Sequence, residues 1–306
     1  MKEYVSPAAS SLAYAAGQFL SADTWPSRWL NGGDEALVLL VETSAGPVAL
    51  HASPSWRTRR ELEWAHSVAR HAHRRVLEVV APIERRGQTI FKWQGRLVAA
   101  FPFISGEMLN RGDPVLRADA ARLLAAVHIA LFDFPGDGRP DSDGSRPARS
   151  ADPSALDDPA LDEWWASVSP GLTTGPTHGD YYRRNLLCTG GRIVGVIDWN
   201  DASIRPLAVE LAGATFELCR SDEHVLQFDW ADEFVASYRS AGGPVLDHEI
   251  ASLLNLIRVW IRDDVRSALA HGGAVSDEYV ARQMQAFQKL SSCKWKARRS
   301  IHSDAG

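Results

Sequence analysis

Apolar positions alternate over short runs in the first third of the chain and recur at helical spacing after it. Ala36 to Glu42 is apolar and β-branched, Ser44-Ala45-Gly46 supplies turn residues, and Val48 to Ala52 returns, which predicts a hairpin. "WRTRRELEWAHSVARHAH" has few breakers and predicts a helix. "GQTIFKWQGRLVAAFPF" predicts a second hairpin, turning at Gln94-Gly95 and ending near Phe103. Ser10 to Phe19 reads as a surface helix, because the N-terminal stretch lacks the continuous apolar core of a leader peptide. The expectation for residues 1–103 is a small antiparallel sheet lobe with one helix.

Residues 104–306 change character. "DPVLRADAARLLAAVHIALF" predicts a helix with Asp113 as N-cap and Pro114 in its first turn. "PGDGRPDSDGSRPARSADPSALDDPA" is rich in Pro, Gly, Asp and Ser and predicts a mobile loop. Further helices are expected over Glu210 to Cys219, Trp230 to Ser240 and Asp247 to His271, followed by a loose tail from Lys294. The fold class is therefore α+β and bilobal, and the cleft between two lobes is the usual place for a small ligand.

Composition narrows the function. Apolar residues make up 45% and charged residues 23% of the chain, the profile of a soluble globular protein. The net charge of -5 argues against non-specific nucleic-acid binding. No stretch approaches ~18 uninterrupted apolar residues, so no membrane span is expected. Cys188, Cys219 and Cys293 have no metal-type spacing and read as reduced thiols in the cytoplasm. Between Ala151 and Glu233 there are 15 acids against five arginines and no lysine, which suits a cationic partner as well as an ordinary solvated face.

The candidate chemistry is concentrated in "THGDYYRRNLLCTGGRIVGVIDW", from Thr177 to Trp199. "LLC-TGG-RIVGVI" is a hairpin with a Gly-Gly turn. Folding it back brings Asn185 and Asp198 to its open end, roughly 7–10 Å apart at ~3.3 Å per strand residue. An amide oxygen and a carboxylate are hard ligands suited to Mg²⁺, with substrate phosphates completing the octahedron. Asp180 is placed to orient a substrate hydroxyl and accept its proton during phosphoryl transfer. His178 is expected to hold the loop through hydrogen bonds.

These residues resemble the aminoglycoside phosphotransferase family, which shares the protein-kinase-like fold. The likeness rests on "HGDYYRRN" and "VIDWNDA", backed by lobe order. It implies transfer of the γ-phosphoryl group of ATP (or GTP), with Mg²⁺, to a hydroxyl of a small molecule. Asp180 is then the base, Asn185 and Asp198 are metal ligands, and Arg183 or Arg184 contacts the transferring group or the loop. Asp201 and Glu210 correspond to supporting acids. Gly32 and Gly33 correspond to the turn over the nucleotide, and Phe101 to Phe103 to the inter-lobe linker that meets adenine. The helix acid is assigned to Glu63, with Glu61 as the alternative.

Two positions depart from the family pattern. Ala49-Leu50-His51 stands where an Ala-Leu-Lys type of strand is expected, so His51 replaces the phosphate-binding lysine. An imidazole near its ordinary pKa of ~6.5 is only partly charged at neutral pH. Lys92 on a neighbouring strand is an alternative cation. Arg205-Pro206-Leu207 stands where an Asp-Pro pair is usual.

The acceptor stays open. An antibiotic, in resistance or self-resistance, is the leading expectation, with homoserine, choline and sugar kinases as alternatives. Asp222, Glu223, Asp229, Asp232 and the Trp164-Trp165 pair are candidates for a cationic or ring-bearing acceptor. His51 keeps open a catalytically weak nucleotide-binding protein. A dinuclear phosphohydrolase through His178 and Asp180 would need further His and Asp clusters that the sequence does not offer in motif form. A monomer or homodimer is expected.

Overall fold

The computed structural model describes residues 6–30, 36–140, 156–270, 274, 276–295 and 297. Helix α1 (Pro7–Leu20) starts at Ser6, whose Oγ accepts the Ala9 N–H at 3.2 Å, with Pro7 in the first turn. It is more than a surface helix. Leu12, Ala13, Ala16 and Leu20 are buried against Leu39, Leu50 and Val98 on one face of a sheet.

That sheet contains β1 (Thr24–Leu30), β2 (Leu37–Thr43), β3 (Val48–Ala52), β4 (Ile90–Trp93) and β5 (Arg96–Pro102), all antiparallel, in the order β1-β2-β3-β5-β4. Between β3 and β4 runs helix α2 (Arg59–His73), opened by a reciprocal capping box in which Thr58 and Glu61 satisfy each other's backbone N–H. Both predicted hairpins form. Gln94 and Gly95 take φ of 45° and 77°, the pairing that a tight two-residue turn requires. Strand β1 has no clean alternation and contains Pro26. It forms at the sheet edge with a bulge beside that proline, where a missing N–H costs no ladder bond.

The chain leaves the sheet at Pro102 and enters the larger lobe through β6 (Glu107–Met108) and α3 (Pro114–Leu131), which Asp113 caps as expected. Next come α4 (Pro159–Val168), β7 (Thr174–Thr177), the hairpin β8 (Leu186–Thr189) and β9 (Arg192–Val196), and β10 (Ser203–Pro206). Helices α5 (Leu207–Cys219), α6 (Phe228–Ser240), α7 (Asp247–Ile250), α8 (Leu253–Ala270) and α9 (Glu278–Ser291) complete it. The single helix expected from Asp247 is two, α7 and α8 being separated by a turn at Ala251-Ser252; the Glu249 carboxylate caps Leu246 N–H at the start of the first and also accepts Thr173 N–H. The expected loose tail is docked where it is described. Trp295 packs on Phe228 and donates Nε1–H to Asp232 at 3.1 Å.

Helix α5 is buried nearly all round, as its apolar sequence demands, and is the centre of the large lobe. Gly213 lets α8 pass close by, since a Cβ there would lie 2.4 Å from Trp260 Nε1. The lobes are tied together. Ala65, Val68, Ala69 and Ala72 of α2 join the large-lobe core, and Val80 N–H donates to Val196 O at 2.9 Å. The protein thus has the expected α+β, protein-kinase-like fold. The predicted mobile loop falls mostly on 141–155, outside the described residues.

Candidate active site

The site is built from two short antiparallel pairs. Strand β7, paired with β10, delivers His178-Gly179-Asp180 at its end. Arg205-Pro206 pairs with Gly175 and Thr174, so the departure from Asp-Pro leaves the strand pairing in place. The β8–β9 turn uses Gly190 and Gly191 at φ of 58° and 73°. Beyond it, Ile197 N–H donates to Asn185 O at 2.9 Å, which brings Asn185 and Asp198 to the same end of the ribbon. Asp198 takes the left-handed conformation, φ 61°, that Asp tolerates better than most residues, and so turns the chain outward.

Gly179 explains why a glycine stands between His and Asp. Its φ is +86°, and a Cβ there would lie 2.0 Å from Asp201 O. Its N–H donates to Glu210 Oε1 at 2.7 Å, and Glu210 Oε2 is 2.8 Å from His128 Nε2. His128 Nδ1 lies 2.7 Å from Tyr238 Oη, so a buried polar chain runs from the loop through α5 and α3 to α6. Burial disfavours the Glu210 charge, but the His128 hydrogen bond and the charges nearby outweigh it and hold this carboxyl below its usual range.

His178 is fully buried. Its Nε2–H donates to Ile197 O at 2.9 Å and its Nδ1 accepts Asp180 N–H at 3.2 Å. Those partners select one neutral tautomer, and burial pushes its pKa down. The geometry leaves no nitrogen for proton transfer. Asn185 Nδ2 donates to both the backbone oxygen and Oδ2 of Asp180 at 2.9 Å, which leaves Asn185 Oδ1 without a protein donor among the described residues. Burial, then the carboxylates of Asp201 and Asp198, push Asp180 up to about 8.

Asp180 faces a cavity of about 540 Å³ in the large lobe. Tyr182, Arg183, Arg205, Glu217, Trp260 and Asp264 are among its walls. Trp164 and Trp165 lie elsewhere, against the large-lobe core. Asp222 accepts from Arg111 and Asp232 from Trp295, so both acids are engaged by the protein's own donors. Of the four acids expected from sequence to meet an acceptor, Asp222 is the one that borders the cavity.

The small-lobe side differs more from expectation. His51 alternates with Leu50 and Ala52 along β3 and so faces away from the α1 side of the sheet. Burial pushes its pKa down, with the Asp198 carboxylate pulling up and the Arg57 guanidinium pushing down. Glu63 does not reach it. This side chain is exposed and pairs with Arg59 one turn earlier, because its helix position faces solvent. Glu61 is buried but is spent on the Thr58 cap and on Arg139, 3.4 Å away. From the same helix His66, close enough to feel the charge of His51, is buried with Nδ1 2.8 Å from Thr89 Oγ1. Lys92 is exposed on β4, separated from β3 by β5. Phe101 sits edge-on to His66, and Phe103 N–H is donated to Pro47 O at 3.1 Å. Gly32 and Gly33 lie outside the described residues.

A cation that sequence reasoning missed occupies this edge. Arg57, half-stacked on Trp56, places Nη2 2.5 Å from Asp201 Oδ1, with only 9% of its side chain exposed. Arg139 lies beside it, donating to Ala202 O at 3.1 Å. Nothing local marks either residue, since their neighbours come from distant segments. Among the described residues no group of three or more His, Cys, Asp or Glu is placed to hold a metal.

The profile of the phosphotransferase enzyme family matches residues 28–249. The chain belongs to this family. A Deinococcus radiodurans protein of uncharacterised function is 25% identical over 224 residues, covering 66% of this phosphotransferase-family chain and 65% of that relative's length. Among solved structures, the fold is similar to that of an amicoumacin kinase in complex with AMP-PNP and Ca²⁺, with a TM-score of 0.64 and 12% identity over 86% of this chain and 87% of the other. A microcompartment-associated aminopropanol kinase gives a TM-score of 0.64 and 18% identity, over 90% and 94%. The aminoglycoside phosphotransferase APH(4)-Ia gives 0.64 and 18%, over 93% and 100%. Among the described residues no helix is long and apolar enough to cross a membrane.

Proposed function

We propose that this protein transfers the γ-phosphoryl group of ATP to a hydroxyl of a small molecule. The observation that carries the reading is Asp180, at the wall of a 540 Å³ cavity and beside the hairpin end where Asn185 and Asp198 meet. Family membership and the solved kinases of the same fold agree with it, one of them holding AMP-PNP and Ca²⁺.

Asp180 orients the acceptor hydroxyl, whose oxygen attacks the γ-phosphorus as the bond to the β–γ bridging oxygen breaks. The hydroxyl proton passes to Asp180 in its ionised form, the form in which the group acts as base, while Asn185 Nδ2 holds Oδ2 in place. His178 and Glu210 clamp the loop that carries Asp180. The free Asn185 Oδ1 and the Asp198 carboxylate fit Mg²⁺, which when bound neutralises charge on the phosphates. On the small-lobe side, Arg57 and Arg139 supply the permanent charge that a neutral His51 lacks.

The kinases of similar fold act on antibiotics and on an aminopropanol, so resistance and metabolic roles are both in keeping with this site. The described free thiols Cys188, Cys219 and Cys293 suit a reducing cytoplasm. A panel of hydroxyl compounds incubated with Mg-ATP tests the reading by mass spectrometry. A product heavier by one phosphate, with kcat reduced at least about 10²-fold in Asp180→Asn, is expected. Nucleotide binding without any product would favour a non-catalytic nucleotide-binding protein instead.

A further inference from the structure

The cavity beside Asp180 has a charge pattern that the acidic stretch of sequence does not suggest. Arg111 is buried, lines the cavity, and is paired through Nη2 with Asp222 Oδ1 at 2.5 Å. Asp222 itself is 91% exposed and therefore a weak, screened partner. Arg111 Nη1 is buried without any acceptor, the only arginine terminal nitrogen in that state among the described residues. Arg183 Nε is buried without an acceptor too. Burial, then the guanidiniums of Arg220 and Arg183, work against the Arg111 charge, which places three cations close together.

The carboxylates along the same walls are already engaged. Glu217 takes both Nε–H and Nη2–H of Arg220, at 3.0 and 2.8 Å. Asp264 accepts from Tyr279 Oη–H at 2.8 Å and Gln283 Nε2–H at 3.1 Å. Glu210 is tied to Gly179 and His128, and Asp180 to Asn185. Buried guanidinium donors with no acceptor carry a desolvation penalty that a bound carboxylate or phosphate removes. Arg205 adds a further cation at the rim.

Resting on the phosphotransferase reading, we infer that the acceptor is an anion: a hydroxyl compound with a carboxylate or phosphate group, which Arg111 and its neighbour Arg183 grip while its hydroxyl meets Asp180. The guanidinium set at this cavity is distinct from Arg57 and Arg139, which face Asp201 and Ala202 at the lobe junction. An anion on the acceptor and the phosphates of the nucleotide therefore have separate cations.

Isothermal titration of the full chain, saturated with Mg-AMP-PNP, tests this with gluconate, glucose 6-phosphate and inorganic phosphate. Glucamine and sorbitol are the cationic and neutral counterparts. At least one anion is expected to bind about ten-fold or more tightly than glucamine and sorbitol. Preference for gluconate over the phosphates points to hydroxy acids, and the reverse points to phosphate monoesters. Arg111→Gln should weaken the anion about ten-fold. Asp222→Asn, at an exposed position, should tighten it by about three-fold, since it releases Arg111 Nη2. Tighter binding of glucamine, no binding of any anion, or anion binding unmoved by Asp222→Asn would overturn the inference. Anion binding as expected, with no phosphorylated product from Mg-ATP across the hydroxyl panel, would instead remove the transfer reading and leave the pocket assignment standing.

Discussion

Arg57, from the segment before α2, places Nη2 2.5 Å from Oδ1 of Asp201, three residues after Asp198. This ion pair links the small lobe to the loop that carries the candidate metal ligand. The Arg57 side chain is buried, 9% exposed, while Asp201 is half exposed, so the pair is partly screened by solvent. Arg57 also acts on His51, which stands where the family resemblance leads one to expect a lysine.

Under the proposed function, Arg57 takes the phosphate-binding role that β3 would otherwise supply. Arg57→Ala is expected to raise KM for ATP about ten-fold, a loss of about 1.4 kcal/mol. His51→Lys introduced into that background should restore part of it, whereas in the unaltered chain it should change little. Initial rates against ATP concentration decide the matter, and an unchanged KM in Arg57→Ala would remove Arg57 from the nucleotide site.

Gly179 has no tolerable replacement. With φ at +86° and Asp201 O only 2.0 Å from where a Cβ would stand, Gly179→Ala forces the loop that carries Asp180 to move. Strain of this kind costs about 1–3 kcal/mol. The denaturation midpoint should fall accordingly, and turnover should be lost even under conditions where the variant stays folded.

Glu210 connects the loop of His178, Gly179 and Asp180 to the core. Glu210→Ala would leave Gly179 N–H and His128 Nε2 buried without their partner, at a cost of about 3 kcal/mol or more. Glu210→Gln can keep one of the two hydrogen bonds and should lose less. Urea unfolding of both variants separates them, and equal stability would show that the polar chain through α5 contributes nothing.

Acid should unfold the protein partly through His66. Burial, then the charges of His51 and Arg70, hold its pKa at about 3, against 6.5 when exposed. The unfolded chain therefore binds the extra proton first, so this residue costs stability as pH falls from 6.5 towards 3. Asp180 and Asp264, pushed up to about 8 and about 6, act in the opposite sense, because their folded forms hold protons that the unfolded chain releases. The comparison is thus between chains. His66→Asn should show a smaller drop in Tm than the unaltered protein between pH 6.5 and 4.5, and parallel curves would count against a neutral buried imidazole.

Two helix residues show how sequence reading goes astray on one side of the molecule. Glu61 and Glu63 both lie in the right turn of α2 to serve as the helix acid. Their roles depend on which side of the helix meets the sheet and on the reach of Arg59, Thr58 and Arg139. The acidic count between Ala151 and Glu233 likewise says nothing of pairing, which folding decides: Glu217 meets Arg220 and Asp222 meets Arg111. The buried donors left without an acceptor at the cavity are Arg111 Nη1 and Arg183 Nε, which no count along the chain reveals.

Local order, by contrast, is written in the residues themselves. The Gly-Gly turn closes the β8–β9 hairpin, and its pairing, continued by Ile197 N–H to Asn185 O, brings Asn185 and Asp198 to the same end, because strand geometry is carried by the backbone of one short segment. His178, Gly179 and Asp180 obey the same short-range rules. The cations around this loop are decided only by tertiary packing. Arg57 and Asp201 are 144 positions apart and Arg111 and Asp222 are 111 apart. Their meeting depends on how the two lobes bury their apolar faces, and burial constrains position in space without leaving a spacing in the chain.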